Sequence, residues 1–165
     1  MNTNTIREIC CYLCANINEE ITIDNLASIF HYNKFYLIKK FKDYTGFTIN
    51  EYINECRVYN STDPLIYTDD TILKIALNNG FKSQEYYSEK FKDIIGASPL
   101  KFRNTFSKLF YLIEKTEDKE ELNYLKATLE ELNDYQEYLN SLGSKPIAKQ
   151  DKPKIKVLET PKKVA

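Results

Sequence analysis

Two stretches of this chain, fifty residues apart, repeat one another, and that repeat restricts the fold more than any other feature. Phe41-Lys42-Asp43-Tyr44-Thr45-Gly46-Phe47-Thr48 returns as Phe91-Lys92-Asp93-Ile94-Ile95-Gly96-Ala97-Ser98. Each copy holds the signals that end one helix and start the next: a Gly for the left-handed position past a helix end, then a Thr or Ser able to cap an N-terminus. Thr48 has Glu51 three residues on, the spacing of a capping box, and Ser98 precedes Pro99, which suits the first helical position.

Upstream of each copy the spacing predicts a second, short helix. Ile23, Leu26, Ala27 and Phe30 form an apolar stripe around Asp24, and Ile72, Ile75, Ala76 and Leu77 form another after Thr71. The intervening turns are Phe30-His31-Tyr32-Asn33 and Asn78-Asn79-Gly80-Phe81-Lys82-Ser83; counted from Ala27 and Ala76 to the caps Asn33 and Ser83, the second is one residue longer, and it has Gly80 to take a positive φ. Asn33 and Ser83 are good N-caps for the second helix of each unit. Ala27 and Ala76 are the small residues expected where two crossing helices come closest. A short helix, a tight turn and a second helix with a polar outer face make a helix-turn-helix. Two in register say more than one. Ile6, Ile9, Cys10, Leu13 and Ile17 predict a supporting first helix, and residues 49–60 a connecting helix with Tyr52, Ile53 and Cys56 inward.

The composition agrees. With 4 Gly and 5 Pro in 165 residues, a turn-rich all-β fold is disfavoured, while 13 Tyr and 9 Phe supply core bulk. No apolar run approaches the ~18 residues of a membrane span, and the N-terminus lacks a signal-peptide layout, so the expected location is the cytoplasm. Cys10, Cys11, Cys14 and Cys56 are then expected as reduced thiols. Cys10 and Cys14 share a helix face, but no matching His or Cys pair accompanies them, so packing is favoured over metal ligation. The single His, His31, has no evident nucleophile or carboxylate pair beside it, and no phosphate loop is present; an enzyme is not expected, nor any cofactor.

At the second repeat the resemblance to a family is specific. Ile72-Leu73-Lys74-Ile75-Ala76, Gly80-Phe81, Tyr86-Tyr87, Phe91-Lys92, Gly96-Ala97-Ser98-Pro99 and Phe102-Arg103 are similar to the DNA-binding domain of the AraC/XylS transcription regulators. That family shows I-x-x-I-A, G-F, an aromatic pair, F-K and G-x-S-P-x-x-[YF]-R. The first half fits through Leu26-Ala27, Leu37, Phe41-Lys42, Gly46 and Tyr52, ending at Arg57, so the match covers roughly residues 5–105. The resemblance implies an all-α fold, a tandem pair of homeodomain-like helix-turn-helix units joined by a connecting helix. It also implies a bacterial transcription regulator whose partner is double-stranded DNA, with RNA polymerase recruited or blocked, and two recognition helices entering successive major-groove segments.

On this alignment the first recognition helix starts at Lys34. Phe35, Ile38 and Lys39 match the family's base-contacting positions: Lys39 is suited to guanine edges, Phe35 and Ile38 to thymine methyls. Lys34 and Lys42 are placed for phosphates. The second helix departs from the pattern, with Gln84, Glu85, Ser88 and Glu89 outward and Glu89 where the family usually has Arg. Gln84 suits adenine and a Glu can accept from cytosine, but two carboxylates repel phosphates, and Lys82, Lys90 and Lys92 offset them only in part. This half is expected to make weak or mostly backbone contacts. Pro64, in Ser61-Thr62-Asp63-Pro64, is expected to break or kink the connecting helix, with Asp63 capping a new one.

The expected division is residues 1–107 as the DNA-binding domain (first unit about 5–60, second about 70–107), 108–143 as a helical extension, and 144–165 as a basic, Pro-punctuated, disordered tail. Their basic and acidic side chains number 12 and 13, 4 and 9, and 7 and 2, for nets of −1, −5 and +5. A near-neutral DNA-binding part argues against tight non-specific binding. Phe106, Leu109, Phe110 and Ile113 prolong the last helix of the domain. In the extension, Asp118 and Glu121 stand as cap and third residue, Gly143 as the stop, and Leu122, Leu125, Leu129, Leu132 and Leu139 keep heptad spacing with Gln136 at one core position. Packing onto the domain and a homodimer through residues 119–142 are equally open. No room is expected here for a small-molecule effector domain. The rival reading is a degenerate helix-turn-helix module that binds protein instead of DNA.

Overall fold

Each expected start and stop signal of the repeat sits at a helix end in the computed structural model, which describes residues 1–141. The helices are α1 (Thr3–Ala15), α2 (Ile23–Phe30), α3 (Lys34–Thr45), α4 (Ile49–Tyr67), α5 (Ile72–Asn78), α6 (Gln84–Ile95), α7 (Pro99–Lys115) and α8 (Lys119–Ser141). No strand occurs among the described residues. Thr48 Oγ1 accepts the Glu51 amide while the Glu51 carboxylate accepts the Thr48 amide, a complete capping box. Asn33, Ser83 and Ser98 accept first-turn amides of α3, α6 and α7.

The two turns share one mechanism. After α2 the amides of His31 and Tyr32 return to Ser28 and Ala27; after α5 those of Gly80 and Phe81 return to Leu77 and Ala76. His31 (φ 57°) therefore corresponds to Gly80 (φ 83°), and both sit in the left-handed region a helix end of this kind needs. The extra residue of the second turn is Lys82, between Phe81 and the cap Ser83.

Burial repeats with the sequence. Leu37, Phe41, Thr45, Phe47 and Ile49 are buried in the first unit, Tyr87, Phe91, Ile95, Ala97 and Pro99 in the second. Ile6, Ile9, Cys10 and Leu13 close the first core from α1, as expected, while Ile17, expected on the same helix, is buried just beyond its end. In the second unit a run of edge-to-face and tilted rings passes through Phe81, Tyr87, Phe91, Phe102 and Phe106, with centroids 4.6–5.7 Å apart. Leu77 departs from its expected stripe and is 52% exposed, because α5 is only two turns long and buries just Ile75 and Ala76.

Pro64 does not break the connecting helix. α4 runs as helix from Ile49 to Tyr67 with Pro64 inside it, seven residues beyond the expected end, and Asp63 caps nothing. Pro64 lies in the last turn, so only one helical bond is lost. The turn beyond it is anchored by Leu65, which is fully buried, and by Arg103 of α7, whose Nε and Nη2 donate to the carbonyls of Leu65 (3.0 Å) and Thr68 (3.3 Å). Guanidinium donors satisfy carbonyls that a helix end leaves open.

α7 runs past residue 107 to Lys115, so the expected division there falls inside a helix. Asp118 Oδ1 accepts the amides of Glu120 and Glu121, capping α8. Helix α8 packs on α7 and α4, with Leu125, Thr128 and Tyr138 buried and Leu122 and Leu129 half-buried. The Leu132, Gln136 and Leu139 side chains, Gly143 and the basic tail 144–165 lie outside the described residues.

Candidate nucleic-acid interface

Both candidate reading helices pack on α4, α3 with Phe41 against the Tyr52 ring and α6 with Tyr87 bonded to Ser61. What remains outward is the surface available to a partner. On α3, Lys34, Phe35, Lys39 and Lys42 are exposed, with Phe35 71% exposed. Ile38 is not fully outward: it is half-buried against the core, as is Ser88 at the equivalent place on α6, because each lies one turn from a buried anchor. Gln84, Glu85, Glu89 and Lys92 are exposed on α6.

The charges differ between the two helices. α3 carries Lys34, Lys39, Lys40 and Lys42 against Asp43 alone, a net of +3; α6 carries Lys90 and Lys92 against Glu85, Glu89 and Asp93, a net of −1. Two of these lysines are already in ion pairs, and Lys40 lies over the Tyr36 ring. Lys34 pairs with Asp24 at 3.1 Å and lies over the Phe35 ring, and Lys90 sits between Glu89 (3.6 Å) and Asp93 (3.8 Å) and over Tyr86. Exposed pairs of this kind contribute little to stability and yield readily to a phosphate.

Contacts around Arg57, Gly80 and Asn54 help fix the second unit against the first, and none was legible as a site in the sequence. Arg57 on α4 reaches back with Nε to the Ile17 carbonyl (2.7 Å) and Nη2 to the Glu19 carbonyl (3.3 Å), and covers the Phe81 ring. Burial pushes its pKa down from the ordinary arginine value. Gly80 lies directly beneath: a Cβ there would come within 2.3 Å of the Ile17 oxygen and 2.8 Å of Arg57 Nε. Asn54 of α4 donates to the Tyr86 hydroxyl at 3.3 Å. Asn18, Glu19, Asn54, Arg57, Phe81 and Tyr86 are among the residues that line a cleft of about 630 Å³ between the units. Among the described residues, no group of His, Cys, Asp and Glu is arranged to hold a metal ion, and no helix is long and apolar enough to cross a membrane.

A family model described as a helix-turn-helix domain matches residues 26–105. A probable transcription factor of Proteus vulgaris, PqrA, is 36% identical over 105 residues, which are 62% of this chain and 86% of that protein. The chain belongs to the AraC family of transcription regulators. An AraC-type regulator from Chromobacterium violaceum has the same fold, with a TM-score of 0.59 at 25% identity over 64% of this chain and 94% of that one. An uncharacterised HTH-type transcriptional regulator of Staphylococcus aureus is 26% identical over 152 residues, 90% of this chain. The chain spans about a fifth of the length of that relative. The AraC-type fold places Arg57 and Arg103, the two residues that end the sequence match, as clamps on carbonyls 40 and 38 positions away rather than at the outward faces of α3 and α6.

Proposed function

We propose that this AraC-family chain binds double-stranded DNA to regulate transcription, and that α3 does most of the reading. The observation that carries the proposal is the contrast between the faces. α3 offers Lys39 and Lys42 free beside an exposed Phe35, whereas α6 offers Gln84 flanked by Glu85 and Glu89. Lys39 donates to base edges, Phe35 meets thymine methyls, and Lys34 and Lys42 neutralise phosphates. On α6, Gln84 and Lys92 make the useful contacts and the carboxylates limit the rest, so affinity rests on one half-site. Recruitment or blocking of RNA polymerase is the expected consequence of occupying a promoter.

The test is selection from random duplexes, then binding titrations at two salt concentrations. Lys39→Ala is expected to cost about 1–3 kcal/mol on the selected duplex and to relax its sequence preference. Lys42→Ala is expected to weaken all duplexes alike and to flatten the salt slope by about one unit. Absence of enrichment, or selected binding indifferent to Lys39, would refute the reading.

One observation favours the second reading, a module that binds protein. Tyr67 is 73% exposed and its ring lies 6.4 Å from that of Phe110, with Tyr111 59% exposed on the next position of α7. Failure of the DNA selection would direct the search there.

A further inference from the structure

Cys14 of α1 and Cys56 of α4 bring their sulfur atoms to 2.8 Å although they stand 42 positions apart in sequence. That is inside ordinary non-bonded contact and less than an ångström beyond the ~2.05 Å of a disulfide bond. Both are free thiols, Cys14 exposed and Cys56 buried. The groups around them are Tyr52, whose hydroxyl lies 3.9 Å from the Cys14 sulfur, together with Cys10 and Glu55. DNA reading uses neither thiol. A packing role alone asks for ordinary contact distance and does not ask that one of the two face solvent.

We propose that Cys14 and Cys56 form a thiol–disulfide exchange site, which a low-molecular-weight disulfide oxidises to a disulfide within the chain. The roles follow from exposure. Cys14 can be reached from solvent and Cys56 cannot, so Cys14 attacks first. Its thiolate opens the reagent's S–S bond, forming a mixed disulfide and releasing one thiolate. Cys56 then attacks the Cys14 sulfur. The S–S bond between the two cysteines forms, the bond to the reagent breaks, and the second reagent thiolate leaves with the Cys56 proton. The protein loses two electrons and two protons, and the reagent becomes two thiols. The hydrogen bond with Cys56 lowers the Cys14 thiol from 9.0 to about 7, while the same contact and burial push Cys56 up. A substantial share of Cys14 is therefore thiolate at neutral pH, and Cys56 holds its proton until the first step is complete.

The cross-link would close a loop of chain that contains α2 and α3, the two helices of the first helix-turn-helix. It stands independently of whether α3 reads DNA.

The experiment treats the full chain with oxidised glutathione at pH 7.5, blocks remaining thiols with N-ethylmaleimide, and maps tryptic peptides by mass. The expected product joins the peptide 43–57, which holds Cys56, to the peptide 8–34 through Cys14, lighter by two hydrogens and reversed by dithiothreitol. Cys11→Ser is expected to keep the product and Cys14→Ser to abolish it. Glutathione or maleimide on Cys14 with Cys56 unlinked, a link from Cys56 to Cys10 or Cys11, or a product that survives Cys14→Ser would overturn the proposal. Peptide 8–34 also holds Cys10 and Cys11, so fragment-ion sequencing of the linked peptide places the bond, and done on the unsubstituted chain it decides the matter even if a variant fails to fold.

Discussion

Gly80→Ala separates two costs that usually arrive together. The backbone cost comes from φ: Gly80 sits at +83°, where an L-residue is strained by roughly 1–2 kcal/mol. The steric cost comes from what lies above it. The new Cβ would stand 2.3 Å from the Ile17 carbonyl oxygen and 2.8 Å from Arg57 Nε. A backbone oxygen cannot swing aside as a side-chain tip can, so the loop before α2 or the turn after α5 must move. Moving the loop breaks the 2.7 Å bond between Arg57 Nε and Ile17, a charge-assisted bond worth about 1.5–3 kcal/mol, while moving the turn lifts the Phe81 ring off Arg57. The expected total is about 3–5 kcal/mol. Gly96 is the internal control, with φ at +96° and nothing within 4 Å of its notional Cβ. Gly96→Ala is expected to cost only the backbone share, about 1–2 kcal/mol. Urea unfolding of both variants reads the gap as a difference in midpoint, with a slope of about 1–3 kcal/mol/M. If the two lose equal stability within about 0.5 kcal/mol, the ordinary scatter of surface substitutions, then the close approach of the two units at Gly80 is wrong.

Arg103→Ala removes both donors from the Leu65 and Thr68 carbonyls, so it is expected to cost about 2–3 kcal/mol and to speed amide exchange in the last turn of α4; unchanged exchange there would count against the clamp. Leu125→Ala empties a site that is 2% exposed between α8 and its neighbours, with an expected loss of about 2–5 kcal/mol by urea unfolding; a loss near zero would mean that α8 does not pack as described. Alkaline pH gives a third test. Burial raises Tyr87 from 10.0 to about 12 and Cys10 from 9.0 to about 12. Both keep their protons longer when folded, so their contribution is intact below pH 9 and lost as pH rises towards 12. The urea midpoint is expected to start falling at about pH 9, and in Tyr87→Phe the part of that fall above pH 10 is expected to shrink; an unchanged profile would refute the assignment.

What the sequence made legible was whatever is written within a few residues. The caps at Thr48, Asn33, Ser83 and Ser98 and the positive φ at Gly80 each stem from a residue type and its near neighbours, and all are present. The bury-and-expose alternation of α3 and α6 came from the repeat. Pro64 misled because local propensity is one term: the lost bond sits in the last turn, and a residue 38 positions away supplies donors to that end. Leu77 misled because a helical stripe says which face is apolar, not whether a seven-residue helix is long enough to cover it. His31 hid its role, since nothing in its type announces a left-handed cap; only the hydrogen bonds that match those of Gly80 do. The Cys14–Cys56 contact was out of reach for the same reason as the arginine clamps. It depends on how α1 lies against α4.

The long-range contacts share a pattern that bears on function. A single-chain pair of reading helices is useful only if their separation is held, because it must match one turn of DNA. Here α4 is the shared spacer, and the clamps act at different points along it. Arg57, in the middle of α4, pulls the α1–α2 loop down onto the turn of the second unit, with Gly80 allowing the approach. Arg103, from α7, holds the far end of α4 past Pro64. Tyr87 bonds to Ser61 at 2.9 Å between them and sets α6 against the same helix. On the proposal that α3 reads DNA, its outward face can then vary residue by residue while the spacing stays fixed. That division explains why the residues ending each half of the family match are arginines directed at backbone carbonyls and not at the outward faces. It also means that loss of a clamp should weaken recognition of a two-part site more than that of a half-site.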